Sequence, residues 1–175
     1  YDPEESWNFE LGGHFSTKDA RFSSDVALFW IECFDQQLTV FPEGQTTGRM
    51  MTNAGRTRSF GAEVSLNARL AEGLYLNGAY GYTNARFREF KDGVNDYAGK
   101  IIPYAPQHTA SATLSYGINI ESRWLEKITI RATGRGAGRI YWNERNDIYQ
   151  PFYATLDGSL RFDGSVWAVD VWAKN

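Results

Sequence analysis

The stretch Phe60-Gly61-Ala62-Glu63-Val64-Ser65-Leu66-Asn67-Ala68-Arg69-Leu70 decides the fold class. Phe60, Ala62, Val64, Leu66, Ala68 and Leu70 share one parity. Gly61, Glu63, Ser65, Asn67 and Arg69 share the other. A strand sends successive side chains to opposite faces and collects these apolar residues on one of them. A helix would scatter them around its circumference. Ala71-Glu72-Gly73 then reads as a tight turn. Beyond it Leu74, Leu76, Gly78, Tyr80 and Tyr82 alternate with Tyr75, Asn77, Ala79, Gly81 and Thr83. Two alternating runs joined by so short a turn predict a hairpin with matched apolar faces.

The same period recurs in both directions from this hairpin. Trp7, Phe9 and Leu11 alternate with Asn8, Glu10 and Gly12. Ala110, Ala112, Leu114 and Tyr116 alternate with Thr109, Ser111, Thr113 and Ser115. Ile128, Ile130 and Ala132 interleave with Thr129, Arg131, Thr133 and Arg135. Ala154, Leu156, Leu160 and Phe162 interleave with Thr155, Asp157, Ser159 and Arg161. Trp167, Val169, Val171 and Ala173 alternate with Ala168, Asp170, Trp172 and Lys174. From Asp25 to Asp35 both parities are apolar, so the outward face of that strand is left open and a cover over its inner side is expected. About eight strands result. Short connections are expected at 16–19, 71–73 and 162–165, with the longer 117–127 on the same side. Long ones are expected at about 40–56, 86–107 and 136–152.

Bulk properties restrict the class. The net charge of −3 gives no basic face for nucleic acid. Mean hydropathy is −0.47, yet aromatics make up 15% of the 175 residues. No apolar run reaches the roughly 18 residues of a membrane helix, but a spanning strand needs only about 9–11. Cys33 is the single cysteine and forms no internal disulfide. The chain begins at Tyr1 and stops at Asn175 within a strand-like pattern, so it is expected to be part of a larger protein.

Alternation alone does not say which face meets a core. The apolar parity carries almost no charge, whereas Glu63, Arg69, Arg131, Arg135, Asp157, Arg161 and Asp170 all take the other parity. Hydrocarbon excludes charge and a wet lumen tolerates it. Trp7, Tyr80, Tyr82, Tyr116, Phe162 and Trp167 fall near strand ends on the apolar parity, as an interfacial belt requires. The expectation is a membrane wall in which Leu66, Leu76, Leu114, Ile130, Leu156 and Val169 face lipid and the seven charged residues line a lumen.

Several local strings resemble the barrel of TonB-dependent outer-membrane receptors. Pro3-Glu4-Glu5-Ser6-Trp7-Asn8-Phe9-Glu10-Leu11-Gly12 resembles the family's "PE-x-S-W-x-x-E-x-G". Phe34-Asp35-Gln36-Gln37 resembles the polar end of the following strand. Asn53-Ala54-Gly55 with Phe60-Gly61-Ala62-Glu63 is similar to its "NAG" and "x-G-x-E" pair. The run from Asn77 to Phe87 is similar to "N-x-x-Y-x-x-x-A-x-F". Pro103-Tyr104-Ala105-Pro106-Gln107-His108-Thr109 resembles "x-P-x-A-P-x-x-T", and Trp172-Ala173-Lys174-Asn175 resembles "W-x-K/R-N". The strings keep the family's order across essentially the whole chain.

That resemblance implies an all-β, antiparallel up-and-down transmembrane barrel wall, about eight strands of a barrel of about 22. Residues 1–175 would be one partial barrel domain, from the C-terminal part of the barrel, without the plug domain and the terminal strands. It implies a Gram-negative outer-membrane receptor that takes up a scarce nutrient, a ferric siderophore or similar chelate, with lipid, the TonB complex and that ligand as partners. The TonB contact would be made through the N-terminal region, which has no counterpart in this chain. It implies no covalent chemistry and no resident cofactor.

Among loop residues, Arg139, Tyr141 and Trp142 place aromatics beside a cation, a combination suited to anionic chelates or sugars. The bland reading is a solvated loop with self-contained contacts. The lumen arginines either steer an anion or pair, across strands with Glu63, Asp157 and Asp170 or with a plug; pairing is favoured. His14 and His108 lack metal-ligand spacing, and no nucleophile triad or phosphate loop is present. Two competing architectures are a self-contained eight-stranded outer-membrane barrel of structural or adhesive role, and a soluble ligand-binding barrel.

Overall fold

The computed structural model describes residues 3–40, 50–91 and 95–175. Among these every regular element is a strand: β1 (Glu5–Ser16), β2 (Phe22–Val40), β3 (Met50–Ala71), β4 (Leu74–Glu89), β5 (His108–Asn119), β6 (Lys127–Ala137), β7 (Ile140–Tyr141), β8 (Tyr149–Gln150), β9 (Tyr153–Asp163) and β10 (Ala168–Ala173). Eight of them form one sheet in the order β1-β2-β3-β4-β5-β6-β9-β10, with every pair antiparallel. β7 and β8 pair with each other inside the connection between β6 and β9. The sheet is an up-and-down meander whose two ends, β1 and β10, remain unjoined. A closed eight-stranded barrel is therefore not what this chain forms.

Directly opposed residues of antiparallel strands share a face, so the register sorts the side chains. Trp30 opposes Phe60, Leu28 opposes Ala62 and Val26 opposes Val64. The open question at Asp25–Asp35 is thereby answered: Val26, Leu28 and Trp30 join the apolar face, while Ala27, Phe29 and Ile31 lie with Glu63, Gly61 and Ser59. The apolar row continues through Leu76, Leu114, Ala132 and Gly158. Ile130 lies between Tyr116 and Leu160, Leu156 opposes Gly134, Val169 opposes Phe162, and Leu66 opposes Ser24 and Gly78.

Burial shows which face is hollow. In β5, Ala112, Leu114, Tyr116 and Ile118 are exposed while Ser111, Thr113 and Ser115 are half-buried. In β9, Leu156 and Leu160 are exposed, with Thr155, Asp157 and Ser159 half-buried between them. A curved sheet crowds side chains on its concave side. The polar face is thus concave and the apolar face convex, with Leu156 65% and Leu114 46% exposed. A soluble barrel arranges these faces the other way round.

The turns follow local chemistry. Gly73 has φ +71°, and a Cβ there would sit 2.3 Å from the Gly117 carbonyl oxygen, so only glycine fits this hairpin. At the opposite end of the sheet the strands outrun a membrane: β2 has 19 residues and β3 has 22, against the about 9–11 a span requires. In the long connection expected over 40–56, Val40 and residues 50–56 are strand, and 41–49 lie outside the described residues.

The stretch expected as a loop over 86–107 is partly strand too. β4 runs on to Glu89, then the chain folds back through bridges Lys91–Asp96 and Arg86–Ile101. Phe87, Phe90 and Tyr97 hold this fold-back: the Phe87 and Phe90 ring centroids lie 5.0 Å apart, those of Phe90 and Tyr97 5.1 Å apart, and Ile102 packs against the cluster. Phe87 is the one large side chain wholly shielded from solvent among the described residues. The apolar core among those residues sits where the end of β4 folds back on itself, not between sheet layers.

Candidate functional site

Three regions carry polar chemistry: the concave face, an ion-pair cluster on the convex side of β2 and β3, and the long-connection end above β5 and β6. The concave face is a hollow lined by Glu10, His14, Asp25, Glu63, Ser65 and Thr109 among others. Its side chains are laced across strands. His14 Nδ1 lies 2.6 Å from Asp25 Oδ1, and Ser65 Oγ donates to Asp25 Oδ2 at 2.9 Å. Asn77 Nδ2 donates to Asn67 Oδ1 at 2.6 Å, and the Thr113 and Thr133 hydroxyls meet at 2.9 Å.

The arginines with concave-face parity divide. Arg135 pairs with Asp157. Arg161 pairs with Asp163 at 2.8 Å and Asp170 at 3.0 Å. Arg69 and Arg131 have no ion pair among the described residues, and neither has Glu63. Arg69 and Arg131 stand in one register row, through Tyr75 and Ser115. Of the expected pairings, those to Asp157 and Asp170 form and that to Glu63 does not.

Two residues beyond Trp30 on the convex side, Glu32 is buried between two guanidiniums. Arg58 reaches it at 2.5 Å and Arg56 at 3.2 Å. Arg58 also lies over the Trp30 ring at 4.7 Å, and Arg56 over Phe34 at 4.9 Å. Burial pushes the Glu32 carboxyl up, and the Arg58 hydrogen bond and both positive charges outweigh it, holding the group below the usual carboxylate range.

At the long-connection end the β7–β8 pairing gathers side chains that sequence spacing leaves apart. Tyr141 opposes Tyr149. The Arg139 guanidinium lies 4.4 Å from the Tyr149 ring and 6.0 Å from the Tyr141 ring, and donates to the Tyr141 hydroxyl at 3.3 Å. That bond holds the guanidinium's pKa above even its usual value. Trp142 goes elsewhere, packing against Tyr104 at 5.7 Å. Of the three loop residues singled out from sequence, the structure brings Arg139 and Tyr141 together and separates Trp142. Tyr149 and Tyr104 escaped the sequence reading because each joins only through a register between distant segments. Tyr104 also has φ +65°, unusual for an aromatic residue.

The arrangement offers a charged, hydrogen-bonding hollow under a rim of aromatics and arginine. It holds no cluster of His, Cys, Asp and Glu able to bind a metal among the described residues.

Comparison with known proteins agrees. The family model "TonB dependent receptor-like, beta-barrel" matches residues 1–175. The pesticin receptor of Yersinia enterocolitica serotype O:8 / biotype 1B is 31% identical over 159 residues, 90% of this chain and 22% of that relative. The probable TonB-dependent siderophore receptor PiuA of Acinetobacter baumannii is 23% identical over 172 residues, 93% of this chain and 21% of its own. The crystal structure of the ferric yersiniabactin uptake receptor FyuA from Yersinia pestis matches the fold with a TM-score of 0.77 at 24% identity, over 98% of this chain and 24% of that one. The chain spans about a fifth of the curated relatives it matches. With an apolar convex face, a laced polar concave face and a family model matched along its whole length, the chain belongs to the TonB-dependent receptor β-barrel family.

Proposed function

We propose that this chain is part of the wall of an outer-membrane transporter in a Gram-negative bacterium, one that takes up a ferric siderophore or similar metal chelate with energy delivered by the TonB complex. The observation that carries the reading is the polarity of the curved sheet: apolar side chains are bare on the convex face and polar ones crowd the concave face. Acyl chains cover the former at no cost, while water would leave it as a large apolar patch. Leu66, Leu76, Leu114, Ile130, Leu156 and Val169 then face lipid. Glu63, Arg69, Arg131, Arg135, Asp157, Arg161 and Asp170 line the lumen. Arg139, Tyr141 and Trp142 stand at the extracellular end, where ligand arrives. Binding and passage involve no covalent step, so the protein is a receptor and not an enzyme. The names of the relatives, a pesticin receptor and siderophore receptors, support a chelate as cargo.

The test is uptake. Cells carrying the full-length gene should accumulate radioactive iron from siderophore-containing medium under iron limitation. Accumulation should stop on deletion of the gene, on deletion of TonB, or on collapse of the proton gradient. Fractionation should place the protein in the outer membrane. Iron uptake unchanged by deleting the gene for any chelate offered, or a protein recovered in the soluble fraction, sinks the proposal.

A further inference from the structure

The geometry points to Asn146 as a positioning residue that locks the β6–β9 connection to the β4–β5 connection, so that the Arg139–Tyr141–Tyr149 cluster is presented ready-made. This rests on the reading that ligand arrives at this end of the barrel.

Asn146 accepts from the Ile101 backbone N–H through its side-chain oxygen at 2.7 Å and donates from Nδ2 to the Ile101 carbonyl at 2.9 Å. One carboxamide thus satisfies both backbone groups of Ile101, as an adjacent strand residue would. Nδ2 also donates to Asn143 O at 3.1 Å, and the Asn146 backbone N–H donates to the same oxygen at 3.2 Å. The residue sits at φ +60°, a conformation that asparagine tolerates and most side chains resist.

The β6–β9 connection is held at two more rungs, one to the β4–β5 connection and one to the first residue of β5. Tyr104 N–H donates to Tyr141 O at 2.9 Å, and Gly138 N–H donates to His108 O at 2.7 Å. The β5–β6 ladder therefore continues outward past the last strand pair and ends at the asparagine side chain. What it docks onto is itself fixed. Ile102 N–H donates to Ala85 O at 3.1 Å, Phe87 N–H donates to Lys100 O at 3.0 Å, and the Phe87–Phe90–Tyr97 cluster lies beneath. Asn143 braces the other side, with Nδ2 bound to Asp147 Oδ1 at 2.5 Å, and Trp142 N–H donates to Ile148 O at 2.9 Å. Every link from the aromatic anchor to the β7–β8 hairpin is a hydrogen bond with both partners named. The Tyr104 and Gly138 rungs run from backbone to backbone, whereas Asn146 supplies its rung from a side chain, so a substitution can remove it.

Site-resolved hydrogen–deuterium exchange on the full-length protein in detergent micelles tests this without any ligand, and so stands apart from the transport assay. In the unaltered protein the Ile101, Tyr104 and Trp142 amides should be protected. Asn146→Gly keeps the backbone conformation and removes the carboxamide. It should speed exchange at all three amides by roughly tenfold or more, while Phe87 and Gly99 stay slow. Asn146→Asp keeps the acceptor but turns both donated bonds into carboxylate–carbonyl repulsion. It should loosen the same three amides, and it carries the test if the glycine variant does not assemble. Three results would overturn the assignment: an unprotected Ile101 amide in the unaltered protein, a variant that frees Ile101 yet leaves Trp142 slow, or a variant that speeds Phe87 and Gly99 equally, which is general loosening.

Discussion

Gly61 shows how little room a single position has. A Cβ there would lie 2.0 Å from the Tyr82 carbonyl oxygen and 2.6 Å from the Phe29 ring. The ring of Phe29 occupies the space a side chain would need, which is how an aromatic residue fits on a polar concave face. Gly61→Ala should therefore destabilise the assembled barrel by about 1–3 kcal/mol, read as a lower temperature at which the full-length protein loses its compact mobility on a gel. Adding Phe29→Ala should not restore it, because the backbone carbonyl remains in the way. Glu32 gives a prediction with a pH sign. Its carboxyl is held below the ordinary value of 4.5 by Arg58 and Arg56. A depressed value means the ion pairs contribute fully above the unfolded value and are lost as pH falls through the folded one. Exchange at the Arg56 and Arg58 amides, taken relative to its intrinsic rate at each pH, should rise as the medium is acidified below the usual carboxylate range. Glu32→Gln should raise it at neutral pH and flatten the response; a glutamine variant as acid-sensitive as the parent would refute the assignment.

At the scale of elements, β9 separates two environments within one strand. Leu156 stands on the convex face and Ser159 on the concave one. Leu156→Arg should reduce the fraction of full-length protein assembled in the membrane, at a cost of about 2–4 kcal/mol near the midplane. Ser159→Arg should be tolerated, and equal penalties for the two would contradict the assigned faces. These faces were legible in the sequence because period-2 alternation is a local property: the parity of Phe60–Leu70 alone predicts which side chains travel together. At Asp25–Asp35 that signal failed, since Ala27, Phe29 and Ile31 are as apolar as Val26, Leu28 and Trp30, and only the pairing with β3 sorts them. The long connections were least legible. Phe87, Phe90 and Tyr97 read as scattered aromatics until the fold-back stacks them. Arg139 and Tyr141 stand close enough in sequence to be found, whereas Tyr149 joins them through a hairpin and Asn146 reaches Ile101 across 45 residues.

The whole chain has a problem that none of its parts shows. Within the eight-stranded sheet every strand has hydrogen-bonded neighbours on both sides except β1 and β10, whose outer edges carry unpaired backbone groups. Its convex face leaves Leu11 73%, Leu28 51% and Leu156 65% exposed, with no second layer among the described residues to cover them. Open edges template pairing with further chains, and a bare apolar surface of this extent is covered by association when lipid is absent. The two demands are independent. Detergent can coat the convex face but offers no backbone partner to an edge. Prepared alone in plain buffer, the 175-residue chain should aggregate or form large assemblies by light scattering. In mild detergent it should become soluble yet stay oligomeric, because the edges still find one another. The full-length protein in the same detergent should be monodisperse, its neighbouring strands supplying both edges. A sharp monomeric peak from the isolated chain in buffer, with strand content retained, would mean that the apolar face has found a dry interior and that the wall reading is wrong.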